Sequence, residues 1–308
     1  MHDLENHYEK MSKISGVFNR EDFAYLMVHG NEIVKSHDLE GLSIKCNSVK
    51  DGVNLEFSLL ENCKINNPVV ICFGVLPEEG IQRINMKGIL NKGSFVEFMA
   101  YCIFPNGKKV KHYMEGEINI KENASFKYNE IHYHGENGGV KIYPNMNVSI
   151  GKNGSFRSNF KLPEGRSGKI NLNYYIKAGE NSRVELTTKV MGSGNDDINI
   201  RENLYLEGDF SKGTIASYIV GKGNSEIKVY NRIEARGRKS IGHIDCIETI
   251  MDNAHAMAIP IVDVQNASAK VTHEAAIGGI NKKQLEVLMS KGLSEDEATK
   301  VILKGLLK

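Results

Sequence analysis

Three short polar stretches carry side chains able to bind a metal or move a proton. The first is His132-Tyr133-His134. On a strand, residues i and i+2 leave the same face, so both imidazoles can reach one metal ion, and Glu130 and Glu136 continue that face. The competing and favoured reading is a pair of surface histidines. The second stretch is Gly242-His243-Ile244-Asp245-Cys246-Ile247-Glu248. A cysteine near a histidine and acidic groups, held as thiolate, is a soft ligand for iron or a carrier of sulfur. Taken alone, a cysteine in an alternating stretch is more often buried core. The third is Thr272-His273-Glu274. Neighbours on a strand point to opposite faces, so one of His273 and Glu274 can serve a site while the other serves a supporting network.

No enzyme signature accompanies them. The chain has no GxxxxGK[ST], which excludes ATP binding through a P-loop, and no GxGxxG at a strand–helix junction. It has no GxSxG elbow, and His273-Glu274-Ala275-Ala276-Ile277 begins like HExxH but lacks the second histidine. The five cysteines, Cys46, Cys63, Cys72, Cys102 and Cys246, form no CxxC pair. A disulfide framework and a four-thiolate site within one chain are both disfavoured.

The elements that must position these groups are of two kinds. The 308 residues contain 39 Lys+Arg against 38 Asp+Glu, a balance that gives no electrostatic case for nucleic acid or a membrane surface. The longest apolar run, from Val69 to Leu76, is too short to span a bilayer, and the polar start shows no signal peptide, so an intracellular, cytoplasmic protein is expected. Residues 1–40 are expected to be helical. Phe23, Leu26, Met27 and Ile33 or Val34 recur at helical spacing, and a short earlier helix is expected around Leu4 to Ile14. Residues 41–280 alternate instead. Val140, Ile142, Met146, Val148 and Ile150 share one face, as do Ile198, Ile200, Leu204 and Leu206, and Ile227, Val229 and Ile233. Residues 281–308 return to helix. Asn281 with Gln284 reads as a capping box, Gly292 suits a helix end, and Ser294 with Glu297 starts a second helix. The hairpin so formed either packs on its own body or offers a docking surface.

A turn phrase recurs through the middle, starting at Asn62, Lys92, Asn123, Asn153, Asn181, Asn224, Asn253 and Asn266. Asn and Gly tolerate positive φ and suit tight corners, so a regular corner every few strands predicts a coiled β-solenoid; an ordinary β-sandwich is the other option.

The stretch from Asp263 to Ala275 resembles the SufB/SufD family of iron–sulfur cluster assembly scaffolds. The resemblance continues through Ile277-Gly278, Gln284-Leu285, Leu288 to Ala298 and Ile302 to Leu306, and upstream through Gly242 to Cys246 and Ala258-Ile259-Pro260. It covers about residues 205–308. It implies a right-handed parallel β-helix between helical ends, pairing through the β-helix, and a SufC-like ABC-type ATPase bound to the C-terminal helices, with Leu288, Lys291, Leu293 and Glu295 in the matching segment. The family's SufB cysteine falls on Cys246, with an apparent one-residue gap before Pro260; its SufB glutamate falls on Glu274 and its SufD histidine on His273.

One chain carrying all three implies a homodimer in which each subunit plays both parts. His243 is a weaker candidate beside Cys246, and His132 and His134 remain metal candidates. The chain is much shorter than typical bacterial SufB, and no residue argues for flavin. The expectation is a non-catalytic scaffold that builds a transient cluster and hands it to apoproteins. The alternatives are a metal-dependent β-solenoid enzyme using His132 and His134, or an interaction protein without metal.

Overall fold

The computed structural model describes residues 8–9 and 16–307. The helix expected around Leu4 to Ile14 falls almost wholly outside them. Where apolar and polar residues alternate, a chain can bury every second side chain only by forming strands. The first five are β1 (Tyr25–His29), β2 (Glu32–His37), β3 (Leu42–Val49), β4 (Gly52–Leu59) and β5 (Val69–Gly74). Then come β6 (Glu79–Leu90), β7 (Phe95–Phe104), β8 (Lys109–Ile120), β9 (Ser125–His134), β10 (Val140–Ile150), β11 (Ser155–Leu162) and β12 (Lys169–Ala178). The series ends with β13 (Arg183–Gly192), β14 (Asp197–Leu206), β15 (Lys212–Gly221), β16 (Glu226–Ala235), β17 (Ile241–Ile250), β18 (His255–Val264) and β19 (Lys270–Gly278).

From β4 onward, odd strands stack in one sheet and even strands in the other. The chain therefore crosses between sheets after each strand and returns one rung further on, making a β-solenoid of about eight turns. Pairing between rungs is parallel. Ser155 pairs with Ser125 thirty residues before it and with Arg183 twenty-eight after it. The near-constant coil length is set by corners that need positive φ. Asn123, Asn153 and Asn181 hold φ of 57°, 55° and 53°. Their amides also form a ladder, Asn181 Nδ2 donating to Asn153 Oδ1 at 2.6 Å and Asn153 Nδ2 to Asn123 Oδ1 at 2.9 Å. Gly93, Gly223 and Asp252 take the left-handed position at three other predicted corners.

The inner faces of the two sheets make one apolar core, with a column of Phe57, Phe98, Phe126 and Phe156 whose successive ring centroids lie 4.7, 5.2 and 5.8 Å apart. Offset and edge-on aromatic packing of this kind adds roughly 0.5–1.5 kcal/mol per pair beyond area burial.

Over the described residues 16–40 the N-terminal segment corrects the helical expectation. Residues 25–37 form an antiparallel hairpin, β1–β2, and β1 also pairs parallel with β5, so this segment is continuous with the solenoid. Tyr25, Leu26, Met27 and Val28 are all buried because both faces of β1 are covered. Leu26 and Val28 enter the central core, while Tyr25 and Met27 pack outside it with Tyr8 and Phe18. A strand buried on both sides has no period-two pattern, and its apolar run imitates helical spacing. The only helical turn among described residues 16–40 is the 3-10 segment Val17–Asn19.

The C-terminal hairpin forms as its capping residues dictate. Helix α1 (Lys282–Met289) is capped by Asn281, whose side chain accepts from the Gln284 amide at 3.1 Å. Gly292 supplies a φ of 94° at the turn. Helix α2 (Glu295–Leu307) opens on a reciprocal box: Glu297 Oε2 accepts from the Ser294 amide at 2.9 Å and Ser294 Oγ accepts from the Glu297 amide at 3.3 Å. Ala298, Leu303 and Leu307 of α2 are buried, and Leu303 and Leu307 pack with Val220 and Met191 on the odd-numbered sheet. Among the described residues no helix is long and apolar enough to cross a membrane.

Candidate functional site

The solenoid ends on an uncovered coil. Strands β18 and β19 are the last rungs of their sheets, and their residues are largely exposed where earlier rungs alternate between buried and exposed. Met257, Ile261, Val262, Val264 and Ile277 of these two strands are large apolar side chains left in solvent.

This end gathers the motif residues, on two faces. Paired parallel strands direct registered residues the same way. Cys246 points inward, is fully buried, and pairs with Ala275. His273 pairs with inward-facing Ile244, so Cys246 and His273 share the inner face; His273 is exposed because no further coil lies over it. Glu274 pairs with Asp245 on the outer face. His243 is also outside, its Nδ1 2.8 Å from Thr272 Oγ1, and Asp245 accepts from the Tyr218 hydroxyl at 2.9 Å. The expected closeness of His243 to Cys246 is thus corrected: residues three apart on a strand lie on opposite faces.

Around Cys246 the inner space is polar but sparsely bonded. Asn231 Nδ2 approaches its sulfur at 3.5 Å and also donates to Ser217 Oγ at 3.2 Å. Glu248 lies two residues on, on the same inner face, with neither carboxylate oxygen hydrogen-bonded within the described residues. Burial raises the Glu248 carboxyl to about 7, and burial raises the Cys246 thiol, opposed first by a hydrogen bond with Ser217 and then aided by the Glu248 carboxylate. In this closed state Cys246 is a thiol; the thiolate expected from its acidic and imidazole neighbours requires a metal or an opened strand to replace the proton. Glu248 is one of the acidic groups that the sequence places beside Cys246, whereas Asn231 and Ser217 lie on other strands and carry no such signal. The available signal was that Cys246 and Glu248 share the phase of buried Ile244.

His132 and His134 are corrected from surface positions to the interior: they are 1% and 8% exposed. They meet Glu130, also buried, with His132 Nε2 2.6 Å from Glu130 Oε1 and His132 Nδ1 3.3 Å from His134 Nε2. Glu136 lies beyond the end of β9, is exposed, and takes no part. Cys102 and His132 are registered neighbours on β7 and β9. The ligand atoms of Cys102, Glu130 and His132 lie within 4.8 Å of one another, and this is the one potential metal-binding trio among the described residues.

The hairpin residues are placed differently from one another. Lys291 and Glu295 are exposed, Leu288 and Leu293 half-buried. No residue of α1 is buried, and a groove between the helices is lined by Val287, Leu288, Val301 and Ile302, among others. Helix α2 packs on the body, and the groove between the two helices remains open.

The family model described as "SUF system FeS cluster assembly, SufBD core domain" matches residues 85–306, so the likeness extends far upstream of residue 205. An iron-sulfur cluster assembly SufBD family protein of Methanocaldococcus jannaschii is 37% identical over 282 residues, covering 92% of this chain and 89% of the relative. A second, of Pyrococcus horikoshii, is 31% identical over 311 residues, covering 98% and 95%. The iron-sulfur cluster assembly protein SufB of Bacillus subtilis is 38% identical over 82 residues, which is 25% of this chain and 18% of SufB. The chain belongs to the SufBD family of iron–sulfur cluster assembly proteins.

Proposed function

We propose that this chain is a non-catalytic scaffold, a homodimer in the cytoplasm, on which a transient iron–sulfur cluster is built before transfer to recipient apoproteins. A SufC-like ABC-type ATPase docks on the α1–α2 hairpin and supplies the energy. The observation that carries the reading is the uncovered last coil: the strand that bears His273 and Glu274 lies against the strand that bears Cys246, beside exposed apolar side chains that a second copy would cover. Cys246 provides sulfur ligation, with Glu274 and His273 as oxygen and nitrogen ligands. A cluster held by so few thiolates is easier to release than one held by four.

Because Cys246 is buried and protonated in the closed chain, it has to be uncovered before it can serve. Movement of two docked ATPases against each other gives a physical route, transmitted through α2, which packs on β13 and β15. The enzyme reading based on His132 and His134 is disfavoured by their burial, which leaves a substrate no approach.

The experiment is anaerobic purification with the co-expressed ATPase, followed by iron, sulfide, absorbance and light-scattering measurements. Labile sulfide with iron in an ATPase-bound dimer supports the scaffold. A monomer under all conditions, or a complex that never carries sulfide after reconstitution, overturns it.

A further inference from the structure

The interior cluster on β7, β8 and β9 lies apart from Cys246, His273 and Glu274, and the scaffold function leaves it unused. We propose that Cys102, Glu130 and His132, with His112 as the fourth donor, form a resident site for a divalent first-row transition ion of borderline softness, iron(II) or zinc(II), inside the solenoid.

The hydrogen bonds fix where the lone pairs point. The Arg166 carbonyl can only accept, so His134 Nδ1, 3.1 Å away, carries a proton. Both rings are buried, where an imidazole is held in its neutral form. His134 Nε2 is then an acceptor, and His132 Nδ1 must donate to it. The remaining His132 nitrogen, Nε2, therefore presents a lone pair to Glu130 Oε1 at 2.6 Å. The proton between them belongs to Glu130, whose other oxygen, Oε2, accepts from the Tyr174 hydroxyl at 3.3 Å. A lone pair and a carboxylate aimed at one shared proton make a place for a cation, and a histidine oriented through its other nitrogen is how metal-binding imidazoles are held. His112 is 1% exposed, its Nε2 is 3.8 Å from Cys102 Sγ, and its Nδ1 has no partner among the described residues. An unpaired buried imidazole nitrogen costs stability unless something binds there or turns the ring to use it.

The donor set also balances charge. Binding one divalent ion expels two protons, from the Cys102 thiol and the Glu130 carboxyl. The thiolate and carboxylate then cancel the two positive charges, and the imidazoles stay neutral. A buried centre with no net charge avoids the penalty that forbids an isolated buried ion. Ligand bonds of about 2.0–2.3 Å at tetrahedral angles put donor atoms roughly 3.3–3.8 Å apart, so Glu130 and His132 need to separate by about 0.7 Å and His112, which stands beside Cys102 but outside the close trio, needs to turn in. One thiolate, imidazole nitrogens and one carboxylate suit iron(II) or zinc(II) rather than magnesium or calcium. No opening to solvent is needed if the ion enters while the coils stack, since solenoid rungs fold by propagation and metal binding couples to folding.

The test uses the full chain with Cys246→Ser, His273→Ala and Glu274→Ala, which removes the proposed cluster ligands. This protein is unfolded, refolded anaerobically with cobalt(II), and desalted. The expected result is about one cobalt per chain and a thiolate-to-cobalt charge-transfer band. Adding Cys102→Ser removes the band. X-ray absorption of the cobalt in the triple variant needs no further mutation, and is expected to show one sulfur at about 2.3 Å among nitrogen and oxygen neighbours. Metal analysis and Mössbauer spectra of the purified protein then separate iron from zinc. Loss of cobalt on desalting, or a bound cobalt with no sulfur neighbour, overturns the site.

Discussion

Cys246 and Glu274 sit on adjacent strands, one register step apart, and their side chains leave opposite faces of the sheet. Cys246 pairs with Ala275 and points into the solenoid, whereas Glu274 pairs with Asp245 and points out. One subunit cannot close both around one small centre without turning a strand over. Two subunits related by a two-fold axis can, because the outer face of one terminal coil can meet the opened inner face of the other.

A hybrid dimer tests this. One subunit carries Cys246→Ser and the other Glu274→Ala, joined by co-expression with two different tags. If each cluster uses Cys246 of one subunit and Glu274 of the other, one of the two symmetric sites keeps both ligands. The hybrid then holds about half the iron and sulfide of the parent, while each mutant homodimer holds almost none. A hybrid as empty as the homodimers would assign both ligands to one subunit.

Cys246→Ser by itself is expected to abolish cluster assembly and leave the fold in place. Serine keeps the approach of Asn231 Nδ2, now 3.5 Å from the sulfur, and removes the soft donor. The stability change is expected to be within about 1 kcal/mol, the usual net value of one hydrogen bond. Denaturant unfolding checks the second part and anaerobic reconstitution the first. Unchanged iron and sulfide would remove Cys246 from the ligand set.

The sequence spoke clearly where one face of a strand is buried. Val140, Ile142, Met146, Val148 and Ile150 alternate because every second residue of β10 enters the core. The same rule fails for β1, where both faces are covered and Tyr25 to Val28 make an unbroken apolar run. For His132 and His134 the period was right and the direction wrong. Period two tells which residues share a face, not which face is inside. The deciding signal was the phase of Phe126 and Tyr128, two large side chains that line up with Glu130, His132 and His134 along β9 and are buried with them. What the sequence could not reveal is the meeting of Cys102 with His132, because that depends on the coil length between two strands.

Glu202, the registered neighbour of Asn231, gives the fold a pH dependence. It is buried, accepts from Thr188 Oγ1 at 2.9 Å through one oxygen, and has no partner among the described residues at the other. Burial raises its carboxyl from 4.5 to about 7. Above 4.5 the unfolded chain releases this proton while the folded chain keeps it, so stability falls as pH rises, until the folded group also ionises near 7. The loss across that window is roughly 3 kcal/mol at most, less where water reaches the group. Glu202→Gln removes the titration. Relative to the parent, the variant should gain about 2–3 kcal/mol between pH 4.5 and pH 8 in urea unfolding. Parallel pH profiles for the two proteins would show that Glu202 ionises freely in the fold.

The hairpin prediction rests on the division of labour between its two helices. Helix α2 spends Ala298, Leu303 and Leu307 on the body, so removing it would expose Val220 and Met191 and disturb the solenoid wall. Helix α1 buries nothing, and Val287 and Val301 are 47% and 49% exposed in the groove between the helices. Point changes in the groove therefore read docking without unfolding. Lys291→Glu and Glu295→Lys, both on exposed residues, should weaken ATPase binding through charge. Val287→Asp should weaken it more, by about tenfold or greater, because a buried valine contributes roughly 1.5 kcal/mol or more to a contact. Circular dichroism and the melting temperature are expected to match the parent for all three. A calorimetric titration with the ATPase that gives the same Kd for the parent and for Val287→Asp would place the dock elsewhere. The route from ATPase movement through α2 to β15, and from β15 to its neighbour β17 where Cys246 lies, would then lose its starting point.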